Sequence, residues 1–179
     1  MKTRVLSLLT VVVLFFSSCN SGLKNGSLIV FESADDMVEA AKVGVDSITP
    51  NDFKVMLDAM EYFYLIDVRS EDEFASGYIP GAVPIPRGVL EFRIAEEATW
   101  DKEGLYSPSK EDMIILYCKK GQRSVLAAQT LEQLGYVNVK YLTGGWLMWN
   151  TLYPEIQEKL KADVAPAGAP AATASGGGC

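Results

Sequence analysis

Short apolar runs alternate along the chain with amphipathic stretches, and this alternation predicts the elements of an α/β fold. The run from Met113 to Tyr117 has no polar alternation, as expected of a strand covered on both faces. Further strands are predicted at 47–49, 62–68, 82–85 and 137–142. Helices are predicted over 32–45, 71–75 and 89–98, from Pro50, between Gly121 and Gly135, and from Trp146. Residues 100–110 are predicted to be a polar connector, and 152–161 a last amphipathic segment.

A cysteine stands between the buried strand at 113–117 and the helix that follows it. The N-terminus of a helix carries unpaired N–H groups and roughly half a positive charge, so it favours an anion. Lys119, Lys120 and Arg123 add three cations close to Cys118. Such surroundings stabilise a thiolate, which makes Cys118 a candidate nucleophile. The alternative is a buried structural cysteine, but three cations and a glycine within five residues favour the functional interpretation.

The spacing between Cys118 and Arg123 sets the size of the group that this loop can hold. Four residues separate them. The phosphatase pattern places five residues between its cysteine and arginine and builds a larger cradle for a phosphate. A loop one residue shorter fits a smaller group, such as one extra sulfur atom on Cys118.

The cysteine stretch resembles the active-site loop of the rhodanese (sulfurtransferase) family in its single-domain form. Three further stretches resemble family motifs: 65–69, ending Asp-x-Arg, 73–82, with "E-F-x-x-G-H-I-P-G-A", and 142–146, with "L-x-G-G-W/F". The four motifs stand in the family's order over residues 47–150. One departure is Tyr78, where the family commonly has histidine, and we expect little functional consequence from it.

The resemblance implies a central, mainly parallel sheet with helices on both faces, and an enzyme that transfers sulfur without a cofactor or metal. In that chemistry Cys118 takes the outer sulfur of a donor such as thiosulfate, holds it as a persulfide and passes it to a thiophilic acceptor. N–H groups between Lys119 and Ser124 would cradle the persulfide. The candidate substrate- and anion-binding residues are Lys119, Lys120, Gly121, Gln122, Arg123, Ser124, Arg69 and Arg87.

Three residues near the same predicted edge of the sheet have more than one interpretation. Asp67 is predicted to be a structural carboxylate that ties adjacent loops. Arg69 either pairs with Glu73 or contacts the substrate. Arg87 follows the strand at 82–85, and an anion contact and a solvated surface role carry equal weight for it. Ligands of open α/β sheets collect outside this edge.

The first eighteen residues are predicted to be a secretory signal peptide. Lys2 and Arg4 precede an apolar run over 5–16, which is shorter than the roughly 20 residues that a membrane-spanning helix needs. Small residues then precede Cys19 as in a bacterial lipobox, so we expect lipidation of Cys19 and a periplasm-facing, lipid-anchored protein of the bacterial cell envelope. Ordinary cleavage and a soluble periplasmic protein are the alternative.

The domain organisation follows from shifts in composition. After the signal peptide we predict a tether at 19–30, an N-terminal helical extension at 31–46 and the rhodanese domain at 47–161. Residues 162–179 are almost wholly Ala, Gly, Pro, Ser and Thr, so we predict a disordered tail. The tail ends in Cys179, which is either a sulfur relay for Cys118 or an incidental thiol.

Net charge and missing residue types narrow the function. The chain carries a net charge of −7, and removal of Lys2 and Arg4 makes it about −9, which argues against nucleic acid and leaves the N-terminal lipid as the only membrane contact. The absence of histidine excludes a Cys-His dyad and histidine-bound metals. The resemblance, which these exclusions do not contradict, implies a sulfurtransferase with a small sulfur donor and an unidentified thiol or protein acceptor. A non-catalytic persulfide carrier and a thiol-redox protein using Cys118 and Cys179 are the alternatives.

Overall fold

The structure, a computed structural model, describes residues 29–159. The predicted signal peptide at 1–18, Cys19, most of the tether at 19–30 and the tail at 162–179 with Cys179 lie outside these residues. Among residues 29–159, no helix has both the length and the apolar character needed to cross a membrane.

One sheet organises the fold. Its strands are β1 (Asp46–Ile48), β2 (Tyr64–Asp67), β3 (Val83–Pro84), β4 (Ile114–Tyr117) and β5 (Val139–Leu142). They lie in the order β1-β5-β4-β2-β3, and every neighbouring pair is parallel. The α/β prediction with a central parallel sheet is thus confirmed, and β4, the strand before Cys118, lies at the centre of the sheet.

Helices cover both faces of the sheet. They are α1 (Ala34–Lys42), α2 (Pro50–Asp58), α3 (Glu71–Ala75), α4 (Leu90–Arg93), α5 (Glu97–Asp101), α6 (Gln122–Gln133) and α7 (Gly145–Leu152), with a 3₁₀ turn at Arg87–Val89. Ile114 and Leu116 of β4 pack in one core with α1, α4, α5 and α6. Ile115 and Tyr117 pack in the other core with α2, α3 and α7. Since all four side chains are fully buried, the uninterrupted apolar run of β4 is explained.

Short polar side chains fix where three helices begin. Ser33 accepts a hydrogen bond from the Asp36 backbone N–H at 3.1 Å at the start of α1. Thr49 caps α2, whose first residue is Pro50. A capping box starts α3, because Ser70 and Glu73 each accept from the other's backbone N–H. These caps satisfy donors that the first turn of a helix leaves unpaired.

The structure corrects the sequence predictions in two segments. The helix predicted over 89–98 is broken between α4 and α5, and α5 reaches into the predicted polar connector. Trp100 of α5 is fully buried, and its indole N–H donates to the Ile94 carbonyl at 2.9 Å. The described part of the segment at 152–161 is not helical beyond α7. There, Glu158 instead forms an isolated antiparallel bridge with Tyr78.

Candidate active site

Cys118 follows β4 directly and is 1% exposed. The Gly121 backbone N–H donates to Cys118 Sγ at 3.2 Å. Gly121 has a φ of +98°, in the left-handed region that favours glycine, and it caps the start of α6. Ser124 Oγ lies 3.8 Å from Sγ and donates to the Gly121 carbonyl at 2.9 Å. The strand, the tight loop and the first turn of α6 therefore enclose the sulfur with polar groups.

The other side of the loop is held by the start of α7. The N–H groups of Trp146 and Leu147 donate to the carbonyls of Cys118 and Lys119, at 2.8 and 3.0 Å. This contact satisfies donors of the first turn of α7 and fixes the loop backbone. Gly145 makes the approach feasible, because a Cβ atom there would overlap the Cys118 carbonyl oxygen. Its φ of +57° also disfavours any other residue.

The three cations of the loop differ in their surroundings. Lys119 and Lys120 are exposed, and within residues 29–159 neither has a carboxylate within 4.0 Å. Arg123, in the first turn of α6, instead forms a bidentate ion pair with Glu73 of α3. Its Nη1 and Nη2 donate to the two carboxylate oxygens at 2.8 and 2.9 Å. The hydrogen bonds from Arg123 lower the pKa of Glu73 to about 2. Lys119 and Lys120 are therefore the cations available to a ligand.

Arg69 differs from its prediction. It is 3% exposed, and its Nε and Nη2 donate to the Asp67 carboxylate at 2.8 and 2.6 Å. Nη2 also donates to the Gly77 carbonyl at 2.7 Å, and the guanidinium lies 4.9 Å from the ring centroid of Trp146. The ion pair with Glu73, one of the two interpretations of Arg69, is wrong, because Asp67 takes that place. Buried and paired in this way, Arg69 joins β2 to its neighbours and is not presented as an anion contact.

Arg87 and Gln122 also point to partners other than the sulfur. Arg87 pairs with Glu91 at 2.7 Å and donates to Thr130 at 3.3 Å, about two turns along α6 from Cys118. The Gln122 side chain donates to Asp35 of α1 at 2.7 Å. The structure thus brings residues 119–124 together with Cys118, while the side chains of Arg69 and Arg87 are engaged elsewhere.

Sequence reasoning missed the contacts of two residues that brace the loop. Tyr117 is fully buried, and its hydroxyl accepts from the Ile79 backbone N–H at 3.2 Å. Burial, helped by the charge of Asp67, raises the pKa of Tyr117 well above its usual range. A lone hydroxyl at the end of an apolar strand was the available signal. Glu73 was considered only as one possible partner of Arg69. A cation in the first turn of α6 opposes the helix dipole, so a carboxylate near Arg123 was to be expected.

A separate cleft of about 670 Å³ lies along the edge strand β3, and no residue of the 118–124 loop lines it. Tyr78 and Phe74 stack there with ring centroids 4.0 Å apart. Tyr78, where the family commonly has histidine, therefore packs on Phe74 and lines this cleft. The expectation that this departure has little functional consequence stays a prediction. Among the described residues, no group of three or more His, Cys, Asp or Glu side chains is placed to hold a metal.

Comparison with known proteins matches residues 49–152 to the rhodanese-like domain. The chain is 39% identical over 88 residues to a Schizosaccharomyces pombe protein named as a mitochondrial thiosulfate sulfurtransferase, covering 48% of this chain and 62% of that protein. It is 35% identical over 89 residues to human thiosulfate:glutathione sulfurtransferase, covering 48% and 76%. A solved human single-domain sulfurtransferase superposes with a TM-score of 0.55 at 30% identity, covering 60% and 97%. The chain thus spans less than two thirds of the yeast relative.

Proposed function

We propose that this chain, which belongs to the rhodanese-like domain family, transfers a sulfane sulfur from a donor to a thiophilic acceptor through Cys118. The observation that carries the proposal is the Cys118 sulfur, buried at the end of β4 and receiving the Gly121 N–H at 3.2 Å. Relatives named as sulfurtransferases support the same chemistry. We take thiosulfate as the donor, as the names of those two relatives suggest.

The proposed reaction has two displacement steps. The Cys118 thiolate attacks the outer sulfur of thiosulfate and forms a new S–S bond. The S–S bond of thiosulfate breaks, and sulfite leaves with the electron pair. An acceptor such as cyanide or a thiolate then attacks the outer sulfur of the persulfide, and the Cys118 thiolate is released. The atoms and electrons balance without an oxidant, a reductant or a metal.

The surroundings of the sulfur suit both steps. The N–H groups of the loop and the first turn of α6 can stabilise negative charge on the thiolate and on the persulfide. Lys119 and Lys120 would attract the anionic donor and stabilise the charge of the leaving sulfite. Since the chain has no histidine, activation of the thiol rests on these donors and charges.

Sulfur transfer from thiosulfate to cyanide tests the proposal. The mature protein, Cys118→Ser and Cys179→Ser would be compared after reduction, with intact-mass measurement before the acceptor is added. We expect a gain of about 32 Da and turnover in the wild type, and neither in Cys118→Ser. Loss of activity in Cys179→Ser as well would place Cys179 in the sulfur path. A reduced Cys118 that gains no sulfur from thiosulfate would contradict the proposal, and loss of two hydrogens would indicate a disulfide instead.

We also propose that the protein is exported and anchored in the cell envelope through a lipid on Cys19. The support is the residue pattern of positions 1–19. In a bacterial host, the wild type should incorporate labelled palmitate and fractionate with membranes. Cys19→Ser should lose both properties. A wild type that is released unlabelled into the periplasm would support the soluble alternative.

A further inference from the structure

Helix α7 is apolar on both of its sides. Trp149 is fully buried on the side that faces the core. On the other side Leu147, Met148 and Leu152 are 42%, 46% and 49% exposed. Exposed apolar side chains that lie next to one another, broken here only by Thr151, mark a contact surface more often than single exposed apolar residues do.

The exposed side of α7 adjoins the cysteine loop. It forms an open cleft of about 450 Å³ lined by Lys120, Gly144, Leu147, Met148, Thr151 and Leu152. The Leu147 N–H donates to the Lys119 carbonyl at 3.0 Å, and the Trp146 N–H donates to the Cys118 carbonyl at 2.8 Å. The loop that carries the nucleophile therefore also forms the rim of the apolar cleft. A molecule bound in the cleft would contact Lys120, two residues after Cys118.

Charge indicates the chemistry of the occupant. Lys120 lines the cleft and Lys119 precedes it in the loop. Both are exposed, and neither pairs with a carboxylate within 4.0 Å in the described part of the chain. The chain as a whole has a net charge of −7, so the rim is a local cationic site on an acidic protein. Thiosulfate or cyanide would use the cations but has no apolar surface to place against Leu147 and Met148.

We propose that the sulfur acceptor is a segment of a partner protein that carries its accepting cysteine beside acidic and apolar side chains. The apolar side chains pack on α7, and the carboxylates meet Lys119 and Lys120. This inference rests on the proposed function. The acceptor thiolate attacks the outer sulfur of the Cys118 persulfide and forms a new S–S bond. The bond between that sulfur and Sγ breaks, and its electron pair returns to Cys118.

Synthetic thiol peptides test this docking on the full mature chain. The first has one cysteine with two glutamates and two leucines. The second replaces the glutamates with lysines, and the third replaces the leucines with serines. The protein is first loaded with sulfur from thiosulfate and checked by intact mass, and kcat/KM is then measured for each peptide at low ionic strength. We expect the first peptide to exceed each of the others about tenfold.

Variants locate the effect on the cleft. Charge reversal by Lys119→Glu with Lys120→Glu should invert the preference between the glutamate and lysine peptides. Met148→Ser with Leu147→Ser should remove the preference for leucine, measured as the ratio of the peptide rate to the cyanide rate. Two matched changes elsewhere should leave both preferences as in the wild type: Lys102→Glu, at the cleft along β3, and Val137→Ser, at an exposed apolar residue beyond α6.

The outcomes separate this inference from the proposed function. If no sulfur is loaded, the proposed function fails. If sulfur is loaded but all three peptides react equally, the docking proposal alone is overturned. It is also overturned if the Met148 and Leu147 changes convert a dimer to a monomer in light scattering, since a second copy of the chain would then cover α7. Loss of the peptide preferences only in Cys179→Ser would likewise overturn it in favour of the chain's own tail.

Discussion

The loops after β2 and β4 leave the same edge of the sheet, but they differ in whether their positive charge is paired with a carboxylate. Asp67 of β2 and Tyr117 of β4 are register partners, so the loop after β2 and the loop after β4 start side by side. After β2, Arg69 is buried and paired with Asp67. After β4, Lys119 and Lys120 are exposed, and the Cys118 sulfur receives a backbone N–H. The first loop neutralises its charge internally, while the second leaves positive charge for a ligand.

The comparison shows that position at the carboxyl edge of a parallel sheet does not by itself make an anion site. The two loops differ in whether a neighbouring carboxylate forms an ion pair with the cation of the loop. The ion pair after β2 also supports the cysteine loop, because Arg69 donates to the Gly77 carbonyl and its guanidinium lies over the Trp146 ring. Trp146 in turn donates to the Cys118 carbonyl. The loop after β2 therefore helps to hold the cysteine loop in place.

Breaking the buried ion pair between Arg69 and Asp67 should have the largest effect on stability. Arg69→Met leaves the Asp67 carboxylate buried without its partner, which typically costs about 3–5 kcal/mol. Urea unfolding of the wild type and the variant would measure the loss. Lys42→Met breaks an exposed pair with Glu39 and should cost less than about 0.5 kcal/mol. Equal losses in the two variants would contradict the structural role of the buried pair.

The contact between α7 and the cysteine loop should be nearly as sensitive. Gly145→Ala forces a Cβ against the Cys118 carbonyl oxygen in addition to its backbone strain, so we expect a loss of about 3 kcal/mol and of most sulfur transfer. Gly104→Ala is the matched control. Its φ is +68°, but nothing lies within 4 Å of the added Cβ, so only strain of about 1 kcal/mol is expected. Similar behaviour of both variants would show that the close approach is unimportant.

Much of this arrangement could be predicted from local sequence. The uninterrupted apolar run of β4, the glycine after the cysteine and the stripe of α6 each report a local preference, and these elements were found where expected. The start of α2 at Pro50 after a Thr49 cap was likewise predictable from capping chemistry.

Partnerships between distant segments could not be predicted. Arg69 and Glu73 are four residues apart and of opposite charge, so pairing them was reasonable locally. The structure instead brings Arg123, fifty residues away, to Glu73. The burial of Trp100 could not be predicted either. Its polar neighbours indicated a connector, whereas tertiary packing buries the side chain fully. The docking of α7 on the loop carbonyls depends on a backbone approach that the sequence signals only through Gly144 and Gly145.

The Glu73–Arg123 pair joins the segments that follow β2 and β4, and its contribution to stability should depend on pH. Arg123 lowers the folded-state pKa of Glu73 from its usual 4.5 to about 2, so the pair contributes fully above pH 4.5 and is lost as pH falls towards 2. Glu73→Gln should therefore lower the free energy of unfolding by about 1–2 kcal/mol at pH 6, and the difference from wild type should shrink as pH falls below 4.5. Glu71→Gln is the matched control: Glu71 is exposed in the same helical turn and has no ion pair within residues 29–159, so the change should cost less than about 0.5 kcal/mol at pH 6. A difference independent of pH would contradict the ion pair.

Removing the exposed charges of Lys119 and Lys120 should have the smallest effect on stability, and its main effect should be on the KM for thiosulfate. Lys119→Gln with Lys120→Gln should change the free energy of unfolding by less than about 0.5 kcal/mol, because neither side chain has an ion pair within residues 29–159. The KM for thiosulfate should rise about three- to tenfold at low ionic strength while kcat changes less. Added salt should raise the wild-type KM and leave the variant nearly constant, because salt screens exposed charges. Lys102→Gln should behave as the wild type. If the double variant keeps the wild-type salt dependence, the attraction of the donor must come from the backbone donors of the loop instead.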